Sequence, residues 1–372
     1  MSSGCLRLQG ASDNSQEDGS SATTDGGDTS GGSSSTAGEV ELSVAESFDL
    51  SMSHAWFDGV NIYISGGSDV AALNPDEIRW QNETDGPTGG RAFASKSGTA
   101  IFGFNPSDHS APDAAAQFRA YNTADGADSW QYKAPEDGVH NYPRGAAITE
   151  GVAAVGSNRY GSEFEPDPLV TGIDVESGEV QWETYLGSAG ARYLSGMWTY
   201  DGSICVGLAT DGVALLDPST GEVESELSSL RTLTTGGTVG GEQFFAAADS
   251  DLTAYELADG SSNWTGSIEG RSYIEPLVDP TLVVVGTGSG NVHAFDRTTG
   301  KLEWDGGVNG QVNAITASTD HIWVATNSGG LTGFDRAEGT VVHRSTRDIE
   351  AMVYADDQLL FGADEAHMAT IE

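Results

Sequence analysis

Lysine is almost missing from this chain of 372 residues: Lys96, Lys133 and Lys301 are the only three. Arginine is retained, yet 16 basic residues face 56 acidic ones, for a formal net charge of −40. That balance argues against non-specific nucleic-acid binding, which needs Lys and Arg to neutralise phosphates. Only seven acids (Asp13, Glu17, Asp18, Asp25, Asp28, Glu39 and Glu41) fall within residues 1–41, so the charge belongs to the rest of the chain. Self-repulsion on this scale destabilises a compact state at low ionic strength and is tolerated where concentrated salt screens it. The composition therefore points to a high-salt organism such as a halophilic archaeon. The rival reading is a polyanion-mimicking or cation-binding surface.

Other absences narrow the function. No apolar run is long enough to span a bilayer as a helix, and long amphipathic helical patterns are missing. There is no Gly-x-Ser-x-Gly elbow, no phosphate loop and no paired carboxylates that suggest acid–base work, so catalysis lacks support. The seven histidines do not stand at metal-ligand spacing: His293 and His343 lie in strand positions, and His54, His109, His140, His321 and His367 are scattered. Asp249, Asp251, Asp356 and Asp357 fall at expected hairpin turns, where acids are ordinary turn formers, with calcium as the minor alternative. Cys205 sits in the apolar run ICVG and reads as a small buried hydrophobe.

Glycine, by contrast, numbers 50, and much of it recurs in a fixed frame. In AFDRTTGKLEW, Asp296 stands four residues before Gly300, Gly300 four before Trp304, and Ala294 two before the Asp. The frame returns at Ala120/Asn122/Gly126/Trp130, Gly172/Asp174/Gly178/Trp182 and Ala254/Glu256/Gly260/Trp264. It is looser at Asp217/Gly221, where Ser225 replaces Trp, and at Gly333/Asp335/Gly339, where His343 does; Ala72, Asn74 and Trp80 form a shortened copy. Glycines 178, 221, 260, 300 and 339 lie 43, 39, 40 and 39 residues apart, a period that means a propeller or solenoid.

The residue types explain the turn. Asp or Asn hydrogen-bonds backbone N–H groups two or three positions on, and Gly accepts the positive φ that ends such a hairpin. With an apolar run upstream of each copy (VVVG, IWVA, ICVG, LLFG) and a further strand after each Trp, every period supplies four antiparallel strands, a to d. That is a propeller blade.

The frame resembles the pyrroloquinoline-quinone-like propeller repeat family, whose Ala-x-Asp-x-x-Thr-Gly-x-x-x-Trp pattern is met in full at 294–304. The overall likeness is to the eight-bladed lipoprotein propeller of the outer-membrane β-barrel assembly machinery. The resemblance implies that each Trp wedges between neighbouring blades over about residues 42–372. Quinone-dependent dehydrogenases share this repeat, but their vicinal disulfide cannot form from Cys5 and Cys205. Their calcium and quinone ligands are not recognisable either, so no cofactor is expected.

The termini complete the count. EVELSVAESFDL, near the start, reads as a strand preceding any whole blade, while DIEAMVYADD, QLLFGAD and HMATIE supply only strands a to c of the last. Seven anchors plus one composite blade predict an all-β, eight-bladed propeller over 39–372, closed by the N-terminal strand. Residues 1–38, rich in Ser, Gly and Asp, are expected to stay disordered. MSSGC resembles a lipobox, with lipid on Cys5, although no charged or apolar signal region precedes it. Either the start lies further upstream or Cys5 is a chance residue of a cytoplasmic protein; the linker favours a lipid-anchored, monomeric surface protein.

Two insertions, 105–117 and 157–170, are expected to rise side by side between strands b and c of blades 2 and 3, where binding residues collect or the loops merely decorate. Six of the 13 arginines recur near the start of strand a, at Arg91, Arg144, Arg192, Arg231, Arg271 and Arg347, with Gln311 filling the slot in blade 7. Strand a lines the channel, so these side chains would ring one mouth, near Tyr142, Tyr193 and Tyr273. They either grip an anionic group or pair locally with acids and aromatics. The expected function is a non-enzymatic, surface-anchored scaffold or binding module for a protein or anionic glycan partner. The alternative is a quinone- or metal-dependent oxidoreductase.

Overall fold

The computed structural model describes residues 6–9, 40–84, 86–108, 111, 114–135, 142–158, 168–187, 193–209, 211–228, 230 and 237–372. Among them there is no helix, and the strands form eight antiparallel sheets. Seven of them have four strands and one has five, which is the eight-bladed propeller that the period predicts. Blade 6 shows the pattern: Leu277–Val278, Leu282–Gly286, Asn291–Asp296 and Leu302–Gly307 run from channel to rim.

Blade 8 is assembled from both ends of the chain. Ala351–Ala355, Gln358–Gly362 and Ala366–Ile371 supply strands a to c, and Leu42–Phe48 adds strand d in antiparallel register, Leu42 opposite Ile371 and Phe48 opposite Ala366. Beyond that strand, Glu41 and Glu372 exchange backbone hydrogen bonds at 3.2 and 3.0 Å. The ring is closed by the N-terminal strand.

The c–d turn behaves as its residues require. In Asp296–Gly300, the Asp296 carboxylate accepts from the Thr299 N–H at 2.8 Å and the Thr299 hydroxyl at 2.6 Å, while Gly300 N–H donates to the Asp296 carbonyl at 2.9 Å. Gly300 has a φ of 69°, which side chains rarely adopt. A β-carbon there would also lie 2.4 Å from Trp264 of the preceding blade. Gly126, Gly178, Gly221 and Gly339 meet Trp80, Trp130, Trp182 and Trp304 in the same way.

Each of these tryptophans also makes the same hydrogen bond. The indole Nε1–H donates to the carbonyl of the residue after the turn's Asp or Asn in the next blade: Trp80 to Thr123, Trp130 to Val175, Trp182 to Pro218, Trp264 to Arg297 and Trp304 to Arg336, at 2.8–3.1 Å. The polar atom is satisfied while the ring is buried, as a partly apolar side chain demands. The core is therefore a series of layers between blades: Trp264, Phe245, Val283, Val285 and Phe295 pack together between blades 5 and 6. Burying one such aromatic contributes roughly 3 kcal/mol, repeated around the ring.

The turn ending at Gly260, where the sequence has Glu256 in place of Asp, differs from the others in its side chains. Its backbone follows the pattern: φ is 71°, and the N–H donates to the Glu256 carbonyl at 2.8 Å. The side chains do not. Glu256 is one methylene longer than Asp, and its carboxylate accepts from Gln243 at 3.1 Å and from Asn263 of the next strand, while Asp259 takes the Ser261 N–H at 2.9 Å. On the preceding blade Ser225 stands opposite Leu215, in the place that Trp182 or Trp264 holds in its own blade. The junction of blades 4 and 5 therefore lacks the indole bond, and Gly260 keeps the turn geometry without the tryptophan lock. Trp198 and Phe244 fill this layer instead, edge to face at 5.4 Å.

One short strand lies in the segment read as an unstructured linker. Leu6–Gln9 pairs antiparallel with His54–Phe57, the inner strand of blade 1, Leu6 opposite Phe57 and Gln9 opposite His54. The channel-facing edge of that strand offers unpaired backbone groups, and LRLQ alternates in the way a strand requires. Residues 1–5 and 10–39 lie outside the described residues, and with them Cys5.

Candidate functional site

Meander topology puts the a–b and c–d turns on one face and the b–c and d–a connections on the other. The recurrent arginines belong to the second face. Arg91 lies within Thr88–Lys96, strand a of blade 2, its side chain outside the described residues, as are Arg192 and Arg231. Arg144, half-buried in Tyr142–Thr149, holds its guanidinium 5.3 Å from the Tyr142 ring centre. Arg271 is exposed, 5.8 Å from the Tyr273 ring, and Arg347 is exposed, 5.6 Å from Phe361.

Backbone contacts fix these positions. Blade 6 begins strand a only at Leu277, so Arg271 sits in an irregular stretch whose carbonyl accepts from Gly288 N–H at 2.9 Å, in the b–c turn of the same blade. Gln311 precedes strand a of blade 7 and exchanges two bonds with Asn327: its N–H donates to the Asn327 side chain at 2.9 Å and its carbonyl accepts from Asn327 N–H at 3.0 Å. The d–a and b–c connections thus meet at this mouth, and Tyr193 and Tyr273 are each 40% exposed beside it.

The charge environment of the mouth differs from that of the other cations. Lys301 pairs with Glu303 at 3.0 Å, and Arg336 pairs with the buried Asp279. Arg271 and Arg347 make no ion pair among the described residues; aromatic rings are what they rest on. A cation stacked this way keeps its in-plane N–H donors free for an anion.

The repeat residues form no reactive cluster. Asp174, Asp217 and Asp296 are held below the usual carboxylate range by hydrogen bonds, chiefly from Ser177, Ser219 and Thr299, the residues of their own turns. Burial pushes the Cys205 thiol up, which makes it an inert core group. Asp249, Asp356 and Asp357 sit at φ values of 50–62°, the turn role read from the sequence. No group of three potential metal ligands occurs among the described residues.

Two functional-looking arginines escaped the sequence reading because they are defined by contacts across blades. Arg297 donates to the carbonyls of Asp279 at 3.0 Å and Gly240 at 2.7 Å. Arg336 repeats this one blade on, donating to the Ser318 carbonyl at 3.2 Å and to the Asp279 carboxylate. Both follow the Asp of the frame, and only blades 6 and 7 carry Arg there, which is the signal that could have found them. They staple successive blades on the face opposite the mouth.

Eight meandering blades, with a tryptophan lock between most of them and no assembled reactive centre among the described residues, define a propeller of the quinoprotein-like repeat class. The sequence profile of outer membrane protein assembly factor BamB matches residues 66–273 and 248–369, and the chain belongs to that family. BamB from Moraxella catarrhalis is similar at a TM-score of 0.66 and 16% identity, over 89% of this chain and all of that one (100%). Quinohemoprotein alcohol dehydrogenase from Comamonas testosteroni is similar at 0.67 and 12%, over 88% of this chain and 76% of that one. The computationally designed Ika8 protein is similar at 0.67 and 11%, over 87% and 98%. No curated protein sequence matches. At these identities the structural likenesses speak for the fold alone.

Proposed function

We propose that this chain is a non-enzymatic propeller scaffold that binds a partner protein or anionic glycan at the channel mouth marked by Arg144, Arg271, Gln311 and Arg347. One observation carries the reading: in a chain of net charge −40, Arg271 and Arg347 stand exposed on aromatic rings with no carboxylate paired to them among the described residues. Guanidinium grips carboxylate, phosphate or sulfate through two parallel hydrogen bonds, which Lys does not reproduce. Membership of a family named for outer-membrane protein assembly supports a protein-binding role at a membrane surface. The lipobox-like MSSGC supports a monomeric protein held there by lipid on Cys5, and the acidic composition supports a high-salt host.

The test is capture of partners from native membranes at host salt by the wild type and by Arg271→Ala/Arg347→Ala. Loss of the captured partner with an unchanged melting temperature supports the reading; equal capture overturns it. The second reading, a quinone- or metal-dependent oxidoreductase, draws on the likeness to the alcohol dehydrogenase fold. A quinone absorption band in protein purified from its host would replace the scaffold reading. Intact mass of the same preparation tests the anchor, since an unmodified chain starting at Met1 removes it and leaves a cytoplasmic protein.

A further inference from the structure

We propose that Asn263 is a site of N-linked glycosylation, carrying an oligosaccharide on the outer edge of blade 5. Asn-x-Ser/Thr with x other than Pro, the acceptor pattern of a secreted or surface chain, occurs twice, at Asn82-Glu83-Thr84 and Asn263-Trp264-Thr265. Both copies lie in or at the end of the outermost strand of a blade, Glu77–Glu83 and Ser262–Ser267. Their surroundings are different.

At Asn82 the acceptor groups are committed. Asn82 Nδ2 donates to the Gly126 carbonyl of the next blade at 2.8 Å, Thr84 Oγ1 donates to the Gly86 carbonyl at 2.9 Å, and both residues are half-buried. Asn263 and Thr265, by contrast, are exposed on either side of Trp264, whose buried ring ties the strand to blade 6. Asn263 also has no opposite number in strand c, since Ser262 stands across from Tyr255 and Trp264 across from Ala254. An extra residue of this kind drops out of the ladder and re-aims a side chain. Asn263 Nδ2 donates to the Glu256 carboxylate of its own blade. A side-chain amide has two such hydrogens, so a sugar replaces one while the other keeps that bond.

Charge supplies a second, independent observation. The outermost strand of a sheet offers unpaired backbone groups to any other chain, and charged side chains are a common guard against it. Seven of the eight outer strands carry at least one, such as Glu183 in Val180–Tyr185, Glu224 in Val223–Leu227, Glu303 in Leu302–Gly307 and Arg344 in Val341–Ser345. Ser262–Ser267, SNWTGS, has none, in a chain of net charge −40. A glycan is bulky and solubilising, and at Asn263 it covers the one rim that charge leaves open. In the transfer, Asn263 Nδ2 bonds to the anomeric carbon of an oligosaccharide carried on a lipid phosphate. The bond from that carbon to the phosphate oxygen breaks, its electron pair leaves on the phosphate, and the displaced amide proton goes to a base of the transferase.

The assignment rests on the reading of the chain as a surface protein, because such transfer takes place outside the cytoplasm. The test is peptide mass spectrometry of the full chain purified from its host, as wild type, Thr265→Val, Thr265→Ser and Asn82→Gln. The wild-type peptide containing Asn263 should be heavier by an oligosaccharide, and the peptide containing Asn82 should be bare. Thr265→Val removes the hydroxyl of the acceptor pattern and leaves the amide, so the added mass should disappear, at unchanged melting temperature because Thr265 is exposed. Thr265→Ser should retain the added mass, and Asn82→Gln should leave it unaltered. A bare Asn263 in the wild type overturns the proposal, as does added mass that survives Thr265→Val or sits on Asn82 instead. The Cys5 peptide of the same digest keeps the two readings apart. Lipid on Cys5 with a bare Asn263 ends the glycan alone, whereas an unmodified Met1 to Cys5 segment with a glycan on Asn263 ends the lipid anchor alone.

Discussion

His343 donates from Nδ1 to the main-chain carbonyl of Val40 across 2.8 Å, at the seam where the propeller closes. At five other junctions a tryptophan indole reaches the carbonyl that follows the turn's Asp or Asn in the next blade. Blade 8 has no c–d turn, because its c and d strands come from opposite ends of the chain. A shorter ring with an in-plane donor reaches the incoming strand instead, and Val40 N–H is tied to Val342 at 2.9 Å. His343→Ala should cost about 1–2 kcal/mol, one hydrogen bond plus lost packing on Trp323. Thermal unfolding should show a drop of a few degrees, whereas Arg344→Ala, at the exposed neighbouring position, should not shift the midpoint.

Gly300→Ala should be far more damaging than its single methyl suggests. The residue must hold a φ of 69°, and the new carbon would lie 2.4 Å from the Trp264 ring. A loss of several kcal/mol is expected, since incompatible backbone and overpacking act together. Chemical denaturation at fixed salt measures it, and a loss below about 1 kcal/mol would mean that the turn is free to relax.

Stability should fall on mild acidification through one buried imidazole. His293 accepts from Glu269 N–H at Nε2, 3.0 Å away, and burial depresses its pKa below 6.5 against the smaller opposing influence of Asp305 and Glu269. A depressed folded-state value means that the unfolded chain takes up the proton first. The contribution is therefore whole above pH 6.5 and is lost as pH falls from there through the lower folded value. His293→Gln keeps an acceptor for Glu269 and removes the titration, so its melting temperature should depend less on pH between about 4 and 7.

Salt should stabilise the whole molecule. Raising the concentration from ~0.1 M to ~1 M shortens the screening length from about 10 Å to about 3 Å, which mutes repulsion among 56 acidic residues served by 16 basic ones. The melting temperature should climb over that range. A flat or falling curve would remove the high-salt reading of the composition.

How far the sequence carried is clearest at single positions. Asp296, Gly300 and Trp304 announced the turn, the blade and the lock, because a repeat imposes one set of local constraints again and again. Gly260 shows the limit of that reasoning: its spacing is perfect, yet the lock it implies needs a tryptophan on another blade, where Ser225 stands. The composite eighth blade was legible from an N-terminal strand without a blade and a C-terminal blade without its last strand. Arg271 and Arg347 were legible as a register of arginines, with Tyr273 among the aromatics expected near them, but the place of Arg347 on Phe361 was not, since it depends on how separate strands fold together. Arg336 and Asp279, 57 residues apart, meet only in the folded chain, although an arginine after the frame's Asp in blades 6 and 7 marks where to look.

The seam also sets a clock for synthesis. Ser47 and His367, hydrogen-bonded at 2.9 Å across the closing pair of strands, stand 320 positions apart. At ~5–20 residues per second, the first strand of the ring leaves the ribosome on the order of 15 to 60 seconds before its neighbour exists. Through that interval Leu42–Phe48 waits as a solitary ribbon beside a growing, open arc of blades. Glu46, in its middle, is a charge that discourages the ribbon from joining a stranger before its own last blade arrives.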